Sequence, residues 1–159
     1  MTERVDYARQ APALFKKLVE LAQLIDKGSI REKTRDLVAI RASQLNGCAF
    51  CIDMHVKQAT IHGERELRLH HLAAWRESTL FVPRERAALA WTETLTKLPD
   101  GGVPNDIYKR VRTQLSEEEI VDLTYSVMTI NAWNRANIAF QTVPGSADKA
   151  FGLTKANLN

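Results

Sequence analysis

The chain of 159 residues carries two cysteines, and both fall in the stretch Asn46-Gly47-Cys48-Ala49-Phe50-Cys51-Ile52-Asp53-Met54-His55. Cys51 follows Cys48 by three residues and His55 follows Cys51 by four, so on a helix all three share one face, stacked turn on turn. That arrangement suits sulfur redox chemistry. A thiol in the first turn of a helix meets unpaired amide groups and the positive end of the dipole, which favour thiolate and point to Cys48 as the more acidic sulfur. An imidazole one turn beyond Cys51 can take or give a proton. Attack on a peroxide oxygen leaves a sulfenic acid on one sulfur, which the other can resolve as a disulfide. The chemistry requires that the pair lie near the imidazole and be open to small oxidants.

Two other uses of these residues compete with redox. Free cysteine is among the most buried residue types and often only fills space. A zinc ion could use Cys48, Cys51, His55 and His62, but all four would come from one helix, whose face does not wrap a tetrahedral ion, and there is no second cysteine pair. A bridge between Cys48 and Cys51 closes too small a loop to restrain the unfolded chain much, so if it forms it serves chemistry rather than stability.

The elements that must hold these residues read as helices throughout, because apolar residues recur at helical spacing and strand-like alternation is absent. Leu14, Leu18, Leu21 and Ile25, with Phe15 and Ala22 beside them, draw the inward face of a first helix from Pro12 to Ile25, ended by Gly28-Ser29. A second, from about Arg31 to Leu45, turns Leu37, Val38, Ile40, Ala42 and Leu45 inward. Asn46-Gly47 is a helix-to-helix corner, and the third helix, Cys48 to about His62, has the cysteine motif at its start. A short fourth runs from about Glu64 to Trp75. Pro83 opens a fifth that reaches Leu98, behind a poor cap, Val82. A short helix spans about Pro104 to Arg112. Ser116 and Glu119 form a capping box that opens a long last helix to about Gln141. The expectation is an all-α fold of about six to seven helices, with a loose tail after Pro144-Gly145.

The last helix is apolar nearly all round, from Ile120 to Phe140, and must be buried on several sides, inside the protomer or between subunits. An oligomer is expected. Asn131, Asn134 and Asn137 draw a polar stripe along it, and buried amides must find hydrogen bonds, so they are read as a core or interface network. Ser43 is read as a small residue that lets helices approach, His70-His71 as a partly exposed pair, and Trp75, Trp91 and Trp133 as packing anchors.

If the second and third helices run antiparallel from the corner, facing positions sum to about 94 at a rise of ~1.5 Å per residue. Cys51 then faces Ser43, and His55 faces Ala39 with Asp36 a turn away. Asp36 is thereby placed to hold the His55 imidazole, giving a relay of Asp36, His55 and thiol.

The stretch from Asp36 to His55 resembles the signature of the alkylhydroperoxidase D-like (AhpD-like) branch of the carboxymuconolactone decarboxylase superfamily, as do PRERAALAW at Pro83–Trp91 and INAWNR at Ile130–Arg135. The resemblance implies an AhpD-like helical domain over residues 1–143, followed by a tail over 144–159. It implies trimers or larger rings such as hexamers, and a thiol-dependent peroxidase with no bound cofactor or metal. It also implies the site residues: Cys51 attacks the peroxide, Cys48 resolves, and His55 with Asp36 relays protons. Aspartate stands at 36 where the family usually has glutamate, and Phe50 stands where well-known members have a histidine. The implied partners are a small hydroperoxide and a dithiol or thioredoxin-like reductant. Alternatives are a redox-sensing or metal-binding oligomeric subunit, and a lactone decarboxylase of the superfamily's other branches.

Composition bounds the rest. Hydrophobic residues make up 45% and charged residues 26%, which excludes wholesale disorder, and the net charge of +3 is spread among acidic residues, which gives nucleic acid no basic stripe. No phosphate-binding glycine loop is present. The first residues lack the apolar run of a secretory signal, and no uncharged apolar stretch of ~18 residues occurs, so no membrane partner and a cytoplasmic location are expected.

Overall fold

The computed structural model describes residues 2–158, and among them every regular element is helical. The elements are α1 (Tyr7–Gln10), α2 (Pro12–Ile25), α3 (Glu32–Asn46), α4 (Ala49–Ile61), α5 (Glu66–His71) running into a 3-10 turn (Leu72–Ala74), α6 (Pro83–Thr96), α7 (Asn105–Arg112), α8 (Glu117–Phe140) and α9 (Asp148–Phe151), with a final 3-10 turn at Leu153–Ala156. The seven helices expected from apolar spacing are α2 to α8. Single turns α1 and α9 are additional, and because α1 precedes the motif, the third of the expected helices, which the cysteine pair opens, is α4.

α3 is the central strut, packed against α4, α6 and α8. Its Leu37, Val38, Ile40 and Ala42 are buried, as their spacing requires. Leu37 and Ile40 join Ala59, Leu72, Trp75, Phe81 and Leu89 in one apolar cluster. Val38 joins a second, with Trp91, Leu123 and Val127, between α3, α6 and α8. Ala42 belongs to a third with Cys48, Cys51 and Ile130, and this one encloses the sulfurs.

Local signals set the helix ends. At α8 the Ser116 hydroxyl accepts from the Glu119 N–H at 3.1 Å while the Glu119 carboxylate accepts from the Ser116 N–H at 2.9 Å. At α6, Val82 has no side-chain acceptor, but Glu85 accepts from the Val82 N–H at 3.0 Å and supplies half of the box from the other side. The weak start expected there is thus partly secured, and Arg68 in turn holds Glu85.

Two expectations change, for Leu14 and for the tail, and the one for α8 is narrowed. Leu14, drawn on the inward face of its helix, is 75% exposed, because α2 lies along the surface and is anchored instead through Phe15, whose ring meets Trp133 edge-on. α8 buries Ile120, Leu123, Val127 and Ile130 but leaves Val121, Tyr125, Met128 and Ile138 exposed, so the protomer covers only part of this apolar helix. The tail is not loose. Leu153 and Ala156 are buried, and their 3-10 turn packs on α4.

An ion cluster holds that tail. Lys57, 5% exposed, donates through its ammonium to Asp53 at 2.9 Å one turn back on α4 and to Asp148 at 2.6 Å on α9. Asp53 also accepts from the Gly145 N–H at 3.1 Å. Asp148, and then Asp53, keep Lys57 above its ordinary pKa despite burial.

Candidate active site around Cys48 and Cys51

The α3–α4 corner fixes the first sulfur. Gly47 takes φ +72°, a left-handed conformation natural to glycine, with its N–H on Gln44 O at 3.2 Å and the Cys48 N–H on Ser43 O at 3.0 Å. Cys48 is therefore both the residue that closes α3 and the N-cap of α4, where its Sγ accepts from the Cys51 N–H at 3.4 Å. Cys51 lies one turn into α4. The two sulfurs are paired as a disulfide.

The surroundings of the pair are apolar: Ala39, Ala42, Phe50, Ile130 and Trp133 line it. Cys48 and Cys51 are only 1% and 2% exposed. The open access that peroxide chemistry requires is thus not met in this arrangement. The cover consists of side chains, notably Phe50 and Trp133, and behind Trp133 stand Phe15 and Tyr7, the latter stacked on Phe140. A small oxidant reaches sulfur only when these rings shift.

The asparagine stripe on α8 faces this region and α3. Asn134 donates to Ser43 Oγ at 3.0 Å, and both Asn131 and Asn134 accept from Asn46 Nδ2, at 2.9 and 2.8 Å. Asn137 donates to Cys51 Sγ at 3.5 Å and to the Trp133 carbonyl at 2.9 Å, and accepts from the Tyr7 hydroxyl at 3.1 Å. The core-network reading of the stripe therefore holds for all three, and Asn137 additionally touches a sulfur. No local pattern announces that contact, because Cys51 and Asn137 are 86 residues apart.

His55 lies on the same face of α4 one turn beyond Cys51. Burial pushes its imidazole down to about 4, so it is neutral near pH 7. Its Nδ1 pairs with Gln58 Oε1 at 2.7 Å, and with the proton on Nδ1 the other nitrogen is left as an acceptor.

Asp36 does not hold His55. Its Oδ2 accepts from His62 Nδ1 at 2.7 Å, and Glu32 approaches the other ring nitrogen at 3.4 Å. The correction follows from the direction of side chains. By rise alone Asp36 sits roughly midway along the hairpin between His55 and His62, about 16 Å from the corner. Side chains on a helix lean towards its N-terminus. Asp36 on α3 therefore leans away from the corner, while His55 and His62 on α4 lean towards it. Asp36 and His62 approach one another; Asp36 and His55 diverge. The same contact commits His62 to Asp36 and Glu32 rather than to the sulfurs. Burial holds the Asp36 carboxyl above its ordinary value, with His62 pulling the other way.

Comparisons with known proteins agree with this architecture. Residues 12–94 match the model of the carboxymuconolactone decarboxylase family. The chain is 44% identical to the uncharacterized protein YdfG of Bacillus subtilis over 139 residues, covering 87% of this chain and 95% of that protein. Among solved structures, a protein of unknown function from Agrobacterium tumefaciens, whose name suggests the antioxidant defence protein AhpD, superposes with a TM-score of 0.87 at 36% identity, covering 90% of this chain and 98% of that one. An AhpD-core protein from Ralstonia eutropha, at 18% identity, has a TM-score of 0.78 and covers 87% of this chain and 74% of its own. The debrominase Bmp8 shares the fold at the same TM-score and 21% identity, with 92% of this chain and 78% of that one covered. The chain belongs to the carboxymuconolactone decarboxylase family, in its AhpD-like branch.

Proposed function

We propose that the protein is a thiol-dependent peroxidase that reduces organic hydroperoxides or hydrogen peroxide through Cys51 and Cys48. The observation that carries this reading is a cysteine pair at the start of α4, able to close as a disulfide, with a neutral imidazole one turn further along the same face. The Cys51 thiolate attacks the terminal peroxide oxygen, the O–O bond breaks, and the departing alkoxide takes a proton, leaving an alcohol and a Cys51 sulfenic acid. His55, which is unprotonated, serves as the base that accepts the Cys51 proton and returns it to the alkoxide. The Cys48 sulfur then attacks the sulfenic sulfur, water leaves, and the disulfide forms. A dithiol or thioredoxin-like reductant returns two electrons and two protons.

The site residues of this proposal are Cys51, Cys48 and His55. Asp36 drops out of the relay and anchors His62 instead. A homo-oligomer, a trimer or hexamer, is proposed as the working form; the exposed Leu14, Leu24, Leu98, Tyr125 and Met128 support it as apolar surface that a further copy could cover. Among the described residues no helix is long and apolar enough to cross a membrane.

The test is peroxide turnover with a dithiol reductant. Cys51→Ser is expected to abolish it, and Cys48→Ser is expected to leave a sulfenic acid on Cys51 that dimedone traps as a mass increment. Full turnover in both variants would overturn the proposal, as would an oxidised pair that no dithiol reduces.

A further inference from the structure

The two sulfurs are served by different donors. Cys48 Sγ takes the main-chain N–H of Cys51, a contact supplied by the helix itself. Cys51 Sγ takes a side-chain amide from α8, and that amide is fixed at each of its polar atoms. One hydrogen of Asn137 Nδ2 goes to the Trp133 carbonyl, the other points at Cys51 Sγ, and Oδ1 accepts from the Tyr7 hydroxyl. The Trp133 bond settles which end of the amide faces sulfur, because a carbonyl only accepts and so requires the N–H₂ group, which is thereby turned towards Cys51 as well, and the Tyr7 hydroxyl then donates to Oδ1. Asn137 is buried, so this orientation is not averaged by water.

We propose that Asn137 is a catalytic hydrogen-bond donor to the Cys51 thiolate and that Tyr7 is the residue that positions it. An N–H donor to an ionised acceptor is roughly twice as strong as one to a neutral acceptor, so the contact favours the thiolate over the thiol. The surroundings sharpen the effect. On α4 itself the titratable groups are Cys48 and, one turn beyond Cys51, His55; Tyr7 of α1 reaches Asn137; and α3 and α8 face the pair with Ala39, Ala42, Ile130 and Trp133. In this apolar enclosure a negative sulfur gains from every fixed dipole aimed at it. The arrangement also decides between two assignments. The helix start favours Cys48, whereas Asn137 adds a donor at Cys51 alone, and so makes Cys51 the attacking sulfur.

This inference deepens the peroxidase reading and rests on it for the role of Cys51, but its test reads thiol acidity and needs no peroxide. In a Cys48→Ser background, where serine keeps the N-cap, the rate of Cys51 alkylation by iodoacetamide is followed against pH by intact mass. Asn137→Ser is expected to move the Cys51 titration up by about one unit, a roughly tenfold loss of thiolate at neutral pH. Tyr7→Phe, which removes one hydroxyl, is expected to move it the same way by a few tenths. In a Cys51→Ser background the Cys48 titration is expected to stay in place in both variants. Should Asn137→Ser fail to fold, Tyr7→Phe decides alone. An unmoved Cys51 titration, or equal movement of both cysteines, would overturn the inference. Lack of peroxide turnover with the Cys51 shift intact would sink the peroxidase reading and leave the donor role standing.

Discussion

The α3–α4 hairpin has two ends built from opposite materials. At the corner, the sulfurs are held by main-chain N–H groups, a glycine turn and neutral amides, within an apolar wall. Further from the corner, His62 on α4 meets Asp36 and Glu32 on α3, and Lys57 ties Asp53 to Asp148 of the tail. The difference teaches that the groups bonded to the sulfurs are neutral, while charged groups tether the chain at other points of the hairpin. A permanent cation beside the sulfurs would stabilise thiolate strongly, and a carboxylate would oppose it. Neutral donors leave the ionisation of the pair tunable, while the charged end bears the tethering.

The largest expected effect tests the tether. Lys57→Met leaves two carboxylates facing each other without their cation and is expected to cost about 3 kcal/mol in denaturant unfolding. It should also expose residues 144–158 to limited proteolysis. The division between the ends predicts an unchanged Cys51 alkylation profile in this variant, and a changed one breaks the comparison.

The next test concerns acid. The folded His55 value of about 4 lies below its ordinary 6.5, so as pH falls the unfolded chain takes the proton first. Stability is full above about 6.5 and is lost progressively towards 4. Between pH 7 and pH 4.5 the wild type is expected to lose about 2 kcal/mol more than His55→Gln. The raised Asp36 carboxyl works in the opposite sense, gaining stability on acidification, and it is present in both proteins and cancels. Equal acid loss in the two proteins would show that His55 is not held neutral by burial.

Smaller effects sharpen the boundary. Gly47→Ala meets no neighbouring atom within 4 Å, so its cost is conformational, about 1 kcal/mol for a side chain at positive φ. Its thermal midpoint should fall while the peroxide chemistry survives. Asp36→Asn keeps an acceptor for His62 and is expected to cost less than about 1 kcal/mol. Its pH–rate profile should match that of wild type; an altered profile would return Asp36 to the proton relay.

Much of this was legible in the sequence, for reasons that are local. The spacing of Leu37, Ile40 and Ala42, the Asn46-Gly47 corner, Pro83, and the Ser116–Glu119 box each act within a few residues, and each lies where it was expected. The i, i+3, i+4 relation of Cys48, Cys51 and His55 follows from helix pitch alone. What escaped are pairings across the chain. Asp148 meets Lys57 91 residues away, and Tyr7 meets Asn137 130 residues away; no periodicity encodes either. The relay from Asp36 to His55 failed for a different reason. Counting rise along two helices locates the alpha carbons, but the lean of each side chain chooses between partners a turn or two apart.

Cys48 ends one helix and begins the next, with its main chain tied to Ser43 and its sulfur used as a cap. One of these two ties ends on the sulfur itself, so the start of α4 is bonded to the atom whose state changes. Trp133 packs against the same sulfurs, so its indole emission is expected to follow the dithiol–disulfide change.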